Sequence, residues 1–297
     1  MEELNKTMNT VRRVFLAYEP SYWRGLLCTL GSLSRSIEDY LVAEIMVQPC
    51  YLASLKRTLA RIRWITSGKI EFNIIKITGA ALRECKAFEY SGHFKPEICF
   101  RTYYFEFSNL SGNAAYIDID TIVRKSLSQI SSAIPENMPI AARAHLACHT
   151  SSSTDGSGSK KYFNSGVILF NNESFDNEIY ERMSESRKLM ADLSGRSVCL
   201  DQDALNIAFE HRWEELPVHF NYMTDDFQDR SASEGIILHA TGSRKPWMLG
   251  SGHRFTREYI EEAEAIGLPP WNRYDAFWIL RRLGKRSIQV IKKINGY

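Results

Sequence analysis

The sequence predicts an α/β fold built on a mostly parallel central sheet, and two observations carry that expectation. Apolar, β-branched runs alternate with amphipathic helical stretches up to residue 77, the pattern of parallel strands joined by right-handed helical crossovers. Acidic and aromatic residues then follow strand-like runs directly, at Tyr18-Glu19 and at Asp118 and Asp120. In such sheets ligands bind beyond the carboxyl ends of the strands.

Taken in order, Val14–Ala17 is a short strand closed by Tyr18, Glu19 and Pro20. Residues 22–35 place Leu26, Leu30 and Leu33 at helical spacing. Leu41–Val47 is a second strand stopped by Pro49, and Leu52, Leu55, Leu59 and Ile62 line one face of the next helix. Residues 69–77 are rich in β-branched and aromatic types and form a third strand. Residues 80–113 mix helical and aromatic segments. Further strands are expected at 139–146, 162–171, 213–219 and 235–240, with a charged helix over 173–192 and a helix start near Asp201. No repeat and no linker between independent domains is visible. One domain is expected over 1–255, followed by a helical basic tail over 256–297.

Composition narrows the class. Hydrophobic residues are 44% and charged residues 24% of the 297, with a formal net charge of +2, an ordinary globular balance that gives no reason to expect nucleic acid. Six scattered cysteines without a C-x-x-C pair fit reduced thiols better than a disulfide framework or a zinc site. The polar start MEELNKTMNTVRR lacks a signal-peptide core, and no apolar run is long enough to cross a bilayer. A cytoplasmic protein is the expectation.

The chain is organised around Ala114–Val123, which reads AAYIDIDTIV. On a strand, alternate side chains share a face, so Asp118 and Asp120 would project together. Buried without a partner, such a pair would repel; a hard divalent cation such as Mg²⁺ or Mn²⁺ removes the conflict. Taken alone, the pair fits two solvated acids opening a turn better than a metal site. The low-complexity tract His149–Ser159 reads either as a solvated linker or as an active-site lid.

The ordered set YIDID, FNSGVILFN, DQDALN and HATGSRKPW resembles glycosyltransferase family 8, the family of glycogenin and the bacterial lipopolysaccharide galactosyl- and glucosyltransferases, over roughly residues 12–250. The resemblance implies a GT-A, Rossmann-like nucleotide-sugar fold, a UDP-hexose donor, Mn²⁺ (or Mg²⁺) and retention of configuration. It makes Asp118, Asp120 and His239 metal ligands, with Ile119 between the acids. Gly242 and Lys245 would hold the diphosphate, and Arg101, Asn164 and Ser165 would contact the donor. Arg101 could otherwise be a surface salt bridge, for instance to Glu106. Asp201 and Gln202 lie by the transferred sugar. Gln202 is a poor nucleophile, which favours front-side substitution. The family's acid-rich turn after the first strand is here Ala17, Tyr18, Glu19 and Pro20, so Tyr18 would stack on the base and Glu19 reach the ribose. That departure also admits a degenerate sugar-nucleotide or glycan-binding relative. A self-glucosylating initiator is a further alternative within the family.

The acceptor implied is a saccharide, of lipopolysaccharide or capsular type and so potentially lipid-linked. The last segment, 277–297, is basic and apolar without one acid. It reads as an amphipathic helix that either lies on an anionic inner membrane face or packs on the domain.

Overall fold

A computed structural model describes residues 11–38, 40–87, 95–107, 112–145, 161–192, 200–226 and 235–269. The tract 149–159 and the segment 277–297 lie outside the described residues. In chain order the main elements are β1 (Arg13–Ala17), α1 (Trp23–Ser36), β2 (Leu41–Val47), α2 (Leu52–Ala60), β3 (Ile70–Lys76), α3 (Gly79–Ala87), β4 (Ala114–Ile117), β5 (Thr121–Val123), β6 (Ile140–Ala144), β7 (Phe163–Phe170), α4 (Asn177–Asp192), α5 (Leu200–Ala208), β8 (Trp213–Glu215), β9 (Tyr222–Met223), β10 (Ile237–His239) and α6 (Thr256–Ala265). A 3-10 helix, Pro96–Tyr103, precedes β4.

The alternation expected from the sequence produces a seven-stranded sheet of order β3-β2-β1-β4-β7-β6-β8. All its strands run the same way except β7, which is antiparallel to both β4 and β6. A small sheet, β5-β10-β9, stands beside it. Strand alternation sorts the core into two layers. Val14 and Leu16 of β1 pack with Leu26, Leu30 and Leu33 of α1 and Leu55 of α2. Phe15 and Ala17 face the other layer, with Phe100, Tyr104, Tyr116 and Phe209. The expected strand over 213–219 stops at Glu215, since Pro217 cannot donate to a ladder, and a 3-10 turn Val218–Asn221 follows.

Two expectations change. The aspartates do not sit on a strand: β4 ends at Ile117, and residues 118–120 bridge the two sheets. The backbone there is pinned on both sides. Asp118 N–H donates to Gly166 O at 2.8 Å, Thr121 Oγ1 donates to Asp118 O at 2.8 Å, and Ala240 N–H donates to Asp120 O at 2.9 Å. Nor does a boundary fall at residue 255. Tyr259, Ala263, Ile266 and Leu268 belong to the same core as α1, so α6 is part of the domain.

The bridge is seated on α1 through Gly25, where an added Cβ would lie 2.2 Å from Ile119 O and 2.7 Å from the Trp247 ring. Backbone cannot yield cheaply, so Gly25→Ala should destabilise the fold by roughly 3 kcal/mol, read as a lowered denaturant midpoint with an unchanged m-value.

Candidate active site

A cavity of about 400 Å³ opens along the carboxyl edge of the sheet, walled by the ends of β1 and β4, the start of β7, the first turn of α5 and the loop after β10. Asp118, Asp120 and His239 meet at its floor, with one ligand atom of each lying within 4.8 Å of the others. His239 Nε2 stands 3.5 Å from Asp118 Oδ2 and 3.5 Å from Asp120 Oδ1.

The imidazole is oriented from behind. Asn221 Nδ2 donates to Asn164 Oδ1 at 2.9 Å, which leaves Asn221 Oδ1 as an acceptor 2.9 Å from His239 Nδ1. Asn221 Oδ1 therefore takes the Nδ1 proton and Nε2 faces the carboxylates. Asn221 is itself held by the bulge in β6, which aims Arg143 at the Asn221 carbonyl, 2.7 Å away, and at both oxygens of Asp226.

Each aspartate has its own cation. Lys245 Nζ lies 2.5 Å from Asp120 Oδ2 and donates to Ala240 O at 2.7 Å. Burial works to raise the Asp120 pKa, but Lys245 and then His239 hold it well below the ordinary carboxylate range. Arg101 NH2 sits 3.0 Å from Asp118 Oδ1, Arg101 Nε 3.0 Å from Asp201 Oδ2, and Arg101 NH1 donates to Ser165 O at 2.9 Å. Arg101 is thus a buried hub and not a surface partner of Glu106, which pairs with Arg187. Burial opposes its charge, yet Asp118 above all keeps it protonated.

The set fits a divalent cation. It offers carboxylate oxygens and one imidazole nitrogen, and Asp120 Oδ1 is buried with no hydrogen-bond partner. Gly166 leaves the space clear: an added Cβ would fall 2.0 Å from His239 Cε1 and 2.7 Å from Asp118 Oδ2.

On the far side, Gln202 Oε1 accepts from Asn164 Nδ2 at 3.2 Å and from Ser165 N–H at 3.0 Å, while Gln202 Nε2 donates to Tyr162 Oη at 3.1 Å. Asp201 beside it is buried, and burial raises its pKa to about 6; Arg101 works the other way and Asp118 adds to the rise. Gly242 lines the cavity with φ +83°, a conformation glycine adopts without strain. Ala17, Glu19 and Ile119 also line it. Glu19 Oε2 accepts from Ser21 N–H at 3.0 Å and so starts the turn that carries Tyr22.

Tyr18 is the residue placed elsewhere. It continues the Val14–Leu16 face of β1 into the core, fully buried, with its hydroxyl 3.0 Å from Ser54 Oγ and 3.2 Å from Thr58 Oγ1. It cannot stack on a ligand in the cavity. Sequence reasoning missed Tyr22, Glu97, Tyr116, His145, Asn221 and Asp225. Tyr22 walls the cavity edge-on to Trp247, its phenol pKa pushed up by burial and then by Asp120. Tyr116 Oη donates to Asp118 Oδ1 at 2.7 Å. His145 lines the rim with its Nδ1 buried and unpartnered, and burial and Arg143 keep the ring's pKa low. Only Tyr116, at alternate spacing before Asp118, had a readable signal.

A mostly parallel α/β sheet with an acid–histidine cluster at its carboxyl edge has the GT-A architecture of solved glycosyltransferases. Residues 13–249 match the profile described as Glycosyl transferase family 8, and the chain belongs to that family. The solved structure of galactosyltransferase LgtC, in complex with donor and acceptor sugar analogs, superposes with a TM-score of 0.66 at 18% identity, covering 85% of this chain and 95% of that one. The glycosyltransferase GlyE of Streptococcus pneumoniae TIGR4 superposes with a TM-score of 0.57 at 19% identity, over 86% of this chain and 63% of that one. The probable glycosyl transferase Gly of Streptococcus gordonii is 31% identical over 140 residues, and the glycosyltransferase GlyA of Streptococcus pneumoniae serotype 4 is 29% identical over 147 residues. Each of those matches covers 45% of this chain and 19% of the relative, so the chain spans about a fifth of the curated proteins it matches.

Two outcomes test this geometry. Tyr18→Phe should cost about 1 kcal/mol of stability, read as a lowered denaturant midpoint. Asp201 titrates near 6 in the fold against an ordinary 3.8; a raised folded pKa gives stability that is complete at low pH and lost as pH rises through about 6. In EDTA, wild type should therefore lose roughly 3 kcal/mol relative to Asp201→Asn between pH 3 and pH 7.

Proposed function

We propose that this chain is a retaining hexosyltransferase that moves galactose or glucose from a UDP-sugar to a saccharide acceptor. The observation that supports it most is the convergence of two carboxylates and the Nε2 of an imidazole on one point of the cavity floor, with Asp120 Oδ1 left without a partner. Asp118, Asp120 and His239 would hold Mn²⁺ or Mg²⁺, which when bound supplies Lewis-acid charge for a diphosphate leaving group.

The chain's own groups do the rest. Lys245 sets a fixed, buried positive charge beside Asp120, where negative charge develops as the diphosphate departs. The Gly242 backbone borders the same place. Asn164 and Ser165 fix the Gln202 carbonyl, and Arg101 fixes Asp201, so the sugar would meet a rigid polar wall. An amide is a poor nucleophile, which favours front-side substitution, the acceptor hydroxyl arriving on the face the diphosphate leaves.

The rival reading, a relative that binds without turnover, drew its support from Tyr18. Tyr18 faces the core, so it gives that reading no support. The acceptor is proposed to be a lipopolysaccharide-type or capsular glycan, reached at an anionic membrane surface. Among the described residues no helix is long and apolar enough to cross a membrane. Flotation with anionic liposomes, with and without residues 277–297, tests the surface contact: loss of binding on truncation supports it, and retained binding refutes it. Intact-mass growth by hexose increments would mark a self-glucosylating initiator instead.

Asp120→Asn should lower Mn²⁺-dependent UDP release from UDP-galactose or UDP-glucose by more than roughly 100-fold. Near-normal release without added metal would overturn the reading.

A further inference from the structure

Glu97 is 3% exposed and yet lines the cavity. It opens the 3-10 helix whose last turn carries Arg101. Four residues of such a helix span about 8 Å, so the helix runs under the cavity with Arg101 at the aspartates and Glu97 near the end of β2. There Gln48, just past Val47, donates from Nε2 to Glu97 Oε1 at 2.6 Å. Gln48 is buried too, and its carbonyl lies 3.6 Å from Cys50 Sγ, which fixes the amide's direction.

The strand order β2-β1-β4-β7 arranges the cavity floor from one side to the other. Glu97, held from behind by Gln48, comes first, then Ala17 and Glu19, then Asp118, then Asn164 to Gly166. With the donor reading above, on which this inference rests, the diphosphate belongs at Asp118 and Asp120 and the sugar at Asn164, Asp201 and Gln202. The β2 end is then left for the base. The turn after β1 cannot read that base with an acid at position 18, because Tyr18 is in the core.

A buried carboxylate is a hydrogen-bond acceptor only. Burial raises its pKa, and the nearby Glu19 adds to that, so a donor supplied by a ligand relieves it. Uracil presents an imide N–H between two carbonyls. Lys95 on the same wall is a donor of the kind one of those carbonyls needs. Cytosine sets a ring-nitrogen acceptor where uracil has its N–H and would face the carboxylate's charge. We propose that Glu97, positioned by Gln48, accepts the uracil imide N–H and selects a uridine donor.

The test is calorimetric titration of the full chain with Mn²⁺ and UDP, N3-methyl-UDP or CDP. Wild type should bind UDP at least tenfold more tightly than either analogue, since a hydrogen bond to a charged group is worth about tenfold to a hundredfold. Glu97→Gln and Glu97→Ala should each weaken UDP and shrink the UDP to N3-methyl-UDP ratio below about threefold. Gln48→Leu should shrink the same ratio while the melting temperature of the Mn²⁺-bound protein holds. The wild-type ratio needs no variant to fold. A wild type that binds UDP without preferring it to N3-methyl-UDP, or Glu97 variants that keep the preference, overturns the assignment. A wild type that binds no UDP at all overturns the donor reading as well.

Discussion

The structure turns on the compensation of two negative charges placed side by side in a wall that water barely reaches. Asp118 and Asp120 would repel in such a place, and neither is left to the solvent. Arg101 takes one and Lys245 the other, both buried, with contacts of 3.0 and 2.5 Å. Removing one partner from a buried ion pair costs far more than the pair contributes. The elements that deliver these four side chains are therefore tied to one another: the 3-10 helix, the bridge between the sheets and the loop after β10. The price is conformational freedom, and the return is a floor whose charges need no reorganisation when a ligand arrives.

From that floor a chain of amides runs sideways. His239 is set by Asn221, Asn221 by Asn164, and Asn164 by Gln202, at 2.9, 2.9 and 3.2 Å in turn. The imidazole at the acidic cluster is thus oriented by Asn221, whose own partner, Asn164, holds the glutamine across the cavity. Linked hydrogen bonds of this kind strengthen one another in a low-dielectric interior. The two halves of the site share one frame.

Much of this was legible in the residues. The first three strands and their helices follow from apolar spacing alone, and β7 and β10 from continuous β-branched runs. The acids and the histidine could be named because their motifs stand in a family's order. What spacing could not show was where the backbone changes direction. AAYIDIDTIV reads as one strand, yet the chain leaves one sheet at Ile117 and enters another at Thr121, a choice made by partners more than 40 residues away at Gly166 and Ala240. Tyr18 has the same explanation: its side is set by the parity of β1 and by Ser54 and Thr58 beneath it. Asn221, Glu97 and His145 carry no local signature, because their roles come only from what the fold brings to face them.

The single reversed strand has a bearing on how the rim of such a site is built. Because β7 runs against its neighbours, β6 ends and β7 begins on the same rim of the cavity, with His145 N–H still bonded to Tyr162 O at 2.8 Å where the two strands part. The connection between them starts and finishes at the ligand's doorstep. A parallel β7 would have needed a crossover returning behind the sheet, and the rim would have been coupled to the core. As built, the rim where β6 and β7 part is set by their own pairing and not by a crossover packed behind the sheet.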